Sequence, residues 1–124
     1  MIRASVPAVS PYADTVGYCR AVREGRHIYV SGTAPVGIES EDPYEQAKRC
    51  LSIIVDALRE LGAGPEHVVR TRVYIVDAAD WEAVGRAHGE LFGERPPASA
   101  MLVISGLLEP RWKVEIEADA LLPE

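Results

Sequence analysis

A chain of 124 residues, 48% hydrophobic and 26% charged, has the size and composition of one ordinary globular domain. Its formal net charge of −6 disfavours binding to the phosphates of nucleic acids, and no apolar run is long enough to span a membrane. Two isolated cysteines and three scattered histidines indicate neither a disulfide framework nor a metal site. We therefore predict a single cytoplasmic domain over residues 1–124.

The first part of the chain contains a predicted hairpin. Residues 1–15 are rich in Pro, Ser and Ala without clear periodicity, so we predict an irregular N-terminal arm. Residues 17–23 and 27–33 predict two strands, joined by a three-residue link that contains glycine. Gly32, near the end of the second strand, would allow the close approach of another backbone or of a ligand.

The clearest pattern predicts a helix over residues 43–61. Asp42 is a favourable N-cap, and Gly62 suits the left-handed conformation that often follows a helix. One apolar stripe recurs between them at intervals of three and four residues: Ala47, Leu51, Ile54, Leu58 and Leu61. A second helix is predicted over residues 81–92. Its inner face would consist of Val84, His88 and Leu91.

Three further strands are predicted over residues 68–76, 99–105 and 113–121. In the first of them the apolar face would consist of Val69, Thr71, Val73 and Ile75. The last strand alternates strictly between apolar residues (Val114, Ile116, Ala118, Ala120) and charged ones (Lys113, Glu115, Glu117, Asp119). A period of two places these sets on opposite faces of a sheet, so one face is apolar and the other is charged.

The element order predicts an α+β fold, β-β-α-β-α-β-β, in which two helices cover one face of a mixed sheet. The opposite face would carry Val22, Tyr74, Met101 and Val103 among charged side chains. A half-apolar face of this size is unusual in contact with water, so we predict that another subunit covers it.

Five segments of the chain carry recognisable motifs: residues 17–22 leading to 30–33, Glu45-Gln46-Ala47, residues 62–71, Arg95-Pro96-Pro97-Ala98 and residues 114–118. In sequence and in order these segments resemble the RidA/YjgF family of reactive-intermediate deaminases. The similarity covers about residues 16–121. It implies a homotrimer with a chorismate-mutase-like fold, three clefts between subunits, and no metal or organic cofactor. Archetypal members hydrolyse reactive enamines and imines, such as 2-aminoacrylate, to 2-keto acids and ammonia.

Matches to the family's motifs imply a set of site residues. Glu115 matches the glutamate that positions the attacking water, Tyr18 matches the tyrosine of the cleft, and Gly32 matches a glycine whose backbone contacts the substrate. Ser99 stands where archetypal members have an Arg that grips the substrate carboxylate, and Gly85 stands where they have an Asn. Because a hydroxyl cannot make the bidentate contact of a guanidinium, the chain resembles a divergent branch of the family.

These residues also have ordinary structural interpretations. Glu115 could be one of three acids on a solvated or salt-bridged strand face, and Arg70 and Arg72 could pair with such acids. Tyr18 could be a packing residue with a solvated hydroxyl. His88 faces the buried side of its helix, where a hydrogen-bonded core histidine is the simpler interpretation.

A replacement for the missing anchor has two candidates. Arg20 is the first, because it lies two residues from Tyr18 and therefore on the same side of the predicted strand. Arg111, in the loop before the last strand, is the second.

The leading functional hypothesis is a small-molecule hydrolase of the imine/enamine deaminase type. Glu115 would orient water, backbone groups near Gly32 would polarise the developing charge, and Tyr18 would shape the pocket. Its substrate would be a 2-imino acid or another activated C=N compound, and the loss of the anchor at Ser99 argues against the archetypal 2-imino acid. The alternative is a catalytically silent ligand-binding or sensory trimer, against which the retained Glu115 argues. A purely structural partner protein is a third interpretation. An endoribonuclease, which older names in the family suggest, finds no support in so acidic a sequence.

Overall fold

The computed structural model describes residues 3–124, which form six strands and three α-helices. The strands are β1 (Arg3–Val6), β2 (Ala21–Glu24), β3 (His27–Thr33), β4 (Val68–Ile75), β5 (Ala98–Val103) and β6 (Val114–Leu121). The helices are α1 (Ala13–Val16), α2 (Pro43–Glu60) and α3 (Trp81–Phe92), with short 3₁₀ turns at Pro65–His67 and Ala78–Asp80. None of the helices in residues 3–124 is both long and apolar enough to cross a bilayer.

The strands form one mixed sheet in the order β1-β2-β3-β6-β4-β5. Neighbouring strands are antiparallel except β4 and β5, which are parallel. Helices α2 and α3 cover one face, where Ile54, Leu58 and Val84 are buried in the same core as Val114 and Ile116 of β6. The predicted α+β fold with two helices on one side of a mixed sheet is therefore confirmed.

The α2 helix follows its sequence pattern closely. It begins at Pro43 and ends at Glu60, with Leu61 as the C-cap residue. Gly62 then adopts a φ of 87°, the left-handed conformation that glycine reaches without steric cost. Asp42 occupies the N-cap position, although its side chain makes no capping hydrogen bond.

The N-terminal arm predicted for residues 1–15 is not irregular throughout its described part. It contains β1, which pairs with β2 so that Val6 lies opposite Ala21. Only one of its four residues, Val6, is buried, so backbone pairing stabilises this strand and no period-two pattern marks it. Helix α1 follows and ends at Gly17, which has a φ of 85°. Strand β2 therefore begins at Ala21 and not at residue 17, and the described sheet has six strands where five were predicted.

A register shift changes the buried face of β4. The pairing of β4 with β6 is irregular between Val68 and Arg70. As a result Val68 is buried while Val69 is 49% exposed, so the prediction that Val69 shares the apolar face is wrong. An extra residue in a ladder moves its neighbours to the opposite side, which strict alternation does not anticipate.

The edge strand β5 has the opposite phase from the one predicted. Met101 is in register with buried Val73, so Met101 and Val103 belong to the side of the sheet that the helices cover and not to the open face. They remain exposed because they lie at the sheet's edge. Leu102 is in register with Tyr74, so Leu102 is the β5 side chain between Met101 and Val103 that lies on the open face.

The core packing yields a test with a matched control in α2. Ile54 is fully buried, whereas the adjacent Ile53 is only half-buried. Ile54→Ala should lower the free energy of unfolding by about 2–5 kcal/mol through lost burial and a cavity. Ile53→Ala makes the same change in helix propensity and should lower the free energy of unfolding clearly less. Urea denaturation at one chain concentration measures both, and equal losses would contradict this packing.

Candidate functional site

One cavity brings together four of the five predicted site residues. It has a volume of about 340 Å³ and is lined by Tyr18, Arg20, Gly32 and Glu115. A second, more open concavity adjoins it and shares Tyr18, Gly32 and Glu115. The fifth predicted residue, Ser99, lines neither of them. Apolar and aromatic side chains complete the wall, among them Tyr12, Leu107, Leu108 and Trp112.

An irregularity in β3 places Gly32 beside Glu115. The register of β3 against β6 shifts between Val30 and Thr33, so three steps along β3 span only two along β6. Such a bulge reorients the side chains and backbone next to it. The site therefore lies where a disturbed end of β3 meets the first residues of β6.

Gly32 is required at this position for space. A Cβ atom built on Gly32 would lie 2.8 Å from Oε2 of Glu115, a distance that real Cβ contacts essentially never show. The φ of Gly32 is not positive, so no unusual backbone conformation demands glycine here. Any larger residue would displace the Glu115 carboxyl from its place in the cavity wall.

The Glu115 carboxyl is shifted toward its neutral form. Burial raises the pKa of Glu115 above its usual range, the nearby Arg20 charge opposes this, and the Glu117 carboxylate adds to it. A carboxyl with a raised pKa can exchange a proton closer to neutral pH than an ordinary Glu. The group is therefore suited to acid–base work on a molecule in the cavity.

Arg20 is a buried cation held against the backbone of the bulge. It is 5% exposed, and its Nη2 donates a hydrogen bond of 2.6 Å to the Gly32 carbonyl oxygen. Its guanidinium carbon lies 5.8 Å from the centre of the Tyr18 ring. Burial lowers the pKa of Arg20, while electrostatic interaction with Tyr18 and Glu115 opposes that shift. Guanidinium nevertheless stays protonated in proteins, so the cavity contains a permanent positive charge.

The structure places Ser99 outside this cavity. Ser99 lies on β5, where its Oγ accepts a hydrogen bond of 2.7 Å from Oγ1 of Thr71. The same Thr71 oxygen lies 2.8 Å from Nε2 of His88, on the side of the sheet that the helices cover. His88 is thus hydrogen-bonded as predicted, although it is half-buried rather than in the core, and burial lowers its pKa.

Two other candidate arginines form ion pairs and do not line the cavity. Arg111, the second candidate anchor, pairs with Glu109 in its loop and does not line the cavity. Arg72 pairs with Glu117 at 3.1 Å and Asp119 at 3.7 Å, as expected for a charged strand face. Among residues 3–124, no group of three or more His, Cys, Asp or Glu is arranged to hold a metal ion.

Two aromatic residues of the cavity belong to irregular segments. Tyr12 and Trp112 meet edge to face, with ring centres 6.3 Å apart, and both line the cavity. Tyr12 was not predicted as a site residue, since nothing distinguishes it within the N-terminal arm. No periodic pattern could have identified either residue, because each lies in a loop whose path the tertiary structure sets.

Comparisons with known proteins agree with this fold. A family model described as endoribonuclease L-PSP matches residues 8–122. An uncharacterized protein of Streptomyces coelicolor is 39% identical, over 93% of this chain and 89% of that protein. A RutC family protein of Pyrococcus abyssi is 34% identical, over 73% of this chain and 75% of the relative. The crystal structure of a YjgF-family protein from Mycobacterium tuberculosis matches with a TM-score of 0.91 and 38% identity, covering 98% of this chain and 100% of the other. The chain belongs to the RidA/YjgF family.

The raised pKa of Glu115 predicts how the stability of the chain changes with pH. A carboxyl whose pKa is higher in the folded than in the unfolded chain stabilises the fold below the unfolded pKa and loses this contribution as pH rises through the folded pKa. Glu115→Gln should therefore melt at a higher temperature than the parent protein at neutral pH. Below about pH 4, where Glu115 is protonated in both states, the two should melt alike.

Calorimetry at the two pH values measures this difference. The control is Glu117→Gln, which removes the partner of Arg72 and should not stabilise the fold at neutral pH. A lower melting temperature for Glu115→Gln at neutral pH would contradict the assignment of Glu115 as an unfavourably buried acid.

Proposed function

We propose that the cavity around Glu115 binds a small molecule with an activated C=N bond and hydrolyses it to a carbonyl compound and ammonia. The observation that carries this proposal is a carboxyl in the wall of a cavity of about 340 Å³, with its pKa raised by burial. Such a group can take a proton from water and return it within one turnover. Membership of the RidA/YjgF family supports the same class of reaction.

The proposed reaction uses one water molecule and returns Glu115 to its starting state. Ionised Glu115 accepts a proton from water while the oxygen bonds to the C=N carbon and the π electron pair moves to nitrogen. Glu115 then gives that proton to the nitrogen. In the second half the same carboxylate transfers the hydroxyl proton of the addition product to the nitrogen. The C–N bond breaks with its electron pair going to nitrogen, so ammonia leaves and the carbonyl forms.

Gly32 and Tyr18 would support this chemistry by shaping the space around the carboxyl. Gly32 leaves the volume that the Glu115 carboxyl occupies, as the 2.8 Å approach to a hypothetical Cβ indicates. Tyr18 lines both the cavity and the more open concavity beside it, where its ring and hydroxyl would contact a bound molecule. Close positioning of this kind supplies much of the rate enhancement in such reactions.

We also propose that three chains assemble so that each cavity lies at a cleft between two subunits. Every residue of β5 is exposed in the single chain, including Met101, Leu102 and Val103. An uncovered apolar edge strand normally needs a partner. In such an assembly β5 of one chain would adjoin the cavity of the next, which is the arrangement in which Ser99 could contribute to a site.

The proposed compartment is the cytoplasm. Cys19 and Cys50 are both free thiols, which suits a reducing environment.

The hydrolase proposal predicts the effect of neutralising Glu115. Glu115→Gln removes the proton acceptor and should lower kcat for 2-imino acids generated in situ by about 100- to 10,000-fold, measured by ammonia release. Glu117→Gln makes the same change two residues further along β6 and should retain most of the activity. If the parent protein binds 2-keto acids but does not accelerate imine hydrolysis, the cavity is a ligand-binding site without turnover, and the hydrolase proposal is wrong.

The assembly proposal predicts a defined mass. Light scattering at micromolar concentration should give three times the chain mass of 13.5 kDa. Val103→Glu places a charge on the exposed edge strand and should shift the protein to a single-chain mass with unchanged circular dichroism. A parent protein that is monomeric under these conditions would rule the assembly out.

A further inference from the structure

Gln46 is a buried amide whose hydrogen bonds all go to the backbone of two loops. It is the only Gln in the sequence, which contains no Asn, and it is 2% exposed in the first turn of α2. Its Nε2 donates to the carbonyl oxygens of Ser40 and Arg111, at 3.0 Å each, and its Oε1 accepts from the Lys113 N–H at 2.7 Å. Both N–H donors and the carbonyl oxygen of the amide are therefore used, which fixes its orientation.

Both loops that Gln46 joins contribute to the wall of the cavity. The loop between β3 and α2, which Gln46 holds at Ser40, supplies Ala34 and Val36 to the wall. The loop between β5 and β6 supplies Trp112. Gln46 does not line the cavity itself, so it can act on a bound molecule only through these loops.

Trp112 receives the most direct support from the amide. The Arg111 carbonyl and the Lys113 N–H, to which Gln46 binds, belong to the peptide groups on the two sides of Trp112. The Trp112 ring lines the cavity and meets Tyr12 edge to face. Because one carboxamide pairs with both peptide groups, the backbone of Trp112 cannot shift without leaving a buried polar group unpaired.

We infer that Gln46 is a positioning residue of this cavity, which holds the aromatic wall at Trp112 in a fixed place relative to the Glu115 carboxyl. Lys113, whose N–H the amide holds, lies two residues before Glu115 in the same segment. The spacing between the wall and the carboxyl therefore depends on one side chain of α2. The consequence for turnover rests on the proposed function, whereas the consequence for Trp112 does not.

A purely structural role for Gln46 makes a different prediction. If the amide only stabilises the fold, Gln46→Met lowers the free energy of unfolding, but the molecules that stay folded keep Trp112 in place. If the amide positions the wall, Trp112 moves in the folded variant. Trp112 can be observed alone, because the only other tryptophan, Trp81, is 60% exposed and outside the cavity, so Trp81→Phe removes its signal.

The test compares Gln46→Met with Arg23→Met, both in the Trp81→Phe background and both checked for folding by circular dichroism. Arg23 is the matched control, since it also holds two backbone carbonyls and does not line the cavity. In Gln46→Met the emission of Trp112 should move to longer wavelength and acrylamide should quench it more strongly. In Arg23→Met both quantities should stay as in the parent. The kcat for imine hydrolysis should fall by about 100-fold in Gln46→Met alone, the effect of a small misplacement at a reacting centre.

Gln46→Glu covers the case in which Gln46→Met does not fold. It keeps the acceptor for the Lys113 N–H but has no donor at neutral pH, so the emission of Trp112 should shift in the same direction. An emission spectrum that is unchanged in the folded Gln46 variants would overturn the inference, as would an equal shift in Arg23→Met.

A further measurement needs no variant. Because Gln46 carries the only carboxamide side chain of the sequence, its NH2 group gives one pair of nitrogen-15 signals that needs no assignment by substitution. These protons should exchange with water far more slowly than in the unfolded chain and should show a nuclear Overhauser contact to the Lys113 amide proton. Rapid exchange without this contact would overturn the inference.

Turnover distinguishes this inference from the hydrolase proposal. If the parent protein does not hydrolyse imines but Trp112 moves in Gln46→Met, the positioning role stands and the hydrolase proposal is wrong. If the parent protein hydrolyses imines and folded Gln46→Met does so equally fast with Trp112 in place, the hydrolase proposal stands and the positioning role is wrong.

Discussion

The missing side chain at Gly32 is the constraint on which the rest of the cavity depends. Because no Cβ occupies that volume, Oε2 of Glu115 can lie against the β3 backbone at the bulge. The same close approach removes the carboxyl from water, and burial is the largest cause of its raised pKa. One steric feature therefore sets both where the acid lies and how strongly it holds its proton.

A second constraint is the burial of opposite charges in one wall. Arg20 fixes the Gly32 carbonyl through its Nη2, so the cation holds the backbone that makes room for the acid. Neither group is fully compensated: Arg20 and Glu115 form no ion pair, although each charge opposes the other's shift in pKa. Sites of this kind lower the stability of a fold, and here the two-helix core supplies the compensating burial.

The sequence predicts well only those elements in which one face is buried. Helix α2 and strand β6 both show unbroken apolar periodicity. In α2 a side chain enters the core every three or four residues, and in β6 every second side chain does. Strand β1 has only one buried residue, so no sequence pattern reveals that it exists. Strand β5 has no buried residue, so no pattern shows which of its side chains face the helices. The error at Val69 has another cause, since a bulge breaks the alternation that the prediction assumed.

The sequence also predicts only part of the candidate site. Family motifs point to Glu115, Gly32 and Tyr18, which the structure places around one cavity. Arg20 also lines this cavity, but the strand spacing that suggests it from the sequence is absent from the structure. Tyr18 precedes β2, so the two residues are not neighbours on one strand face. They meet because the guanidinium turns toward the Gly32 carbonyl and passes near the Tyr18 ring. The decisive contact is thus between a side chain and a distant backbone oxygen, which spacing along the chain cannot specify.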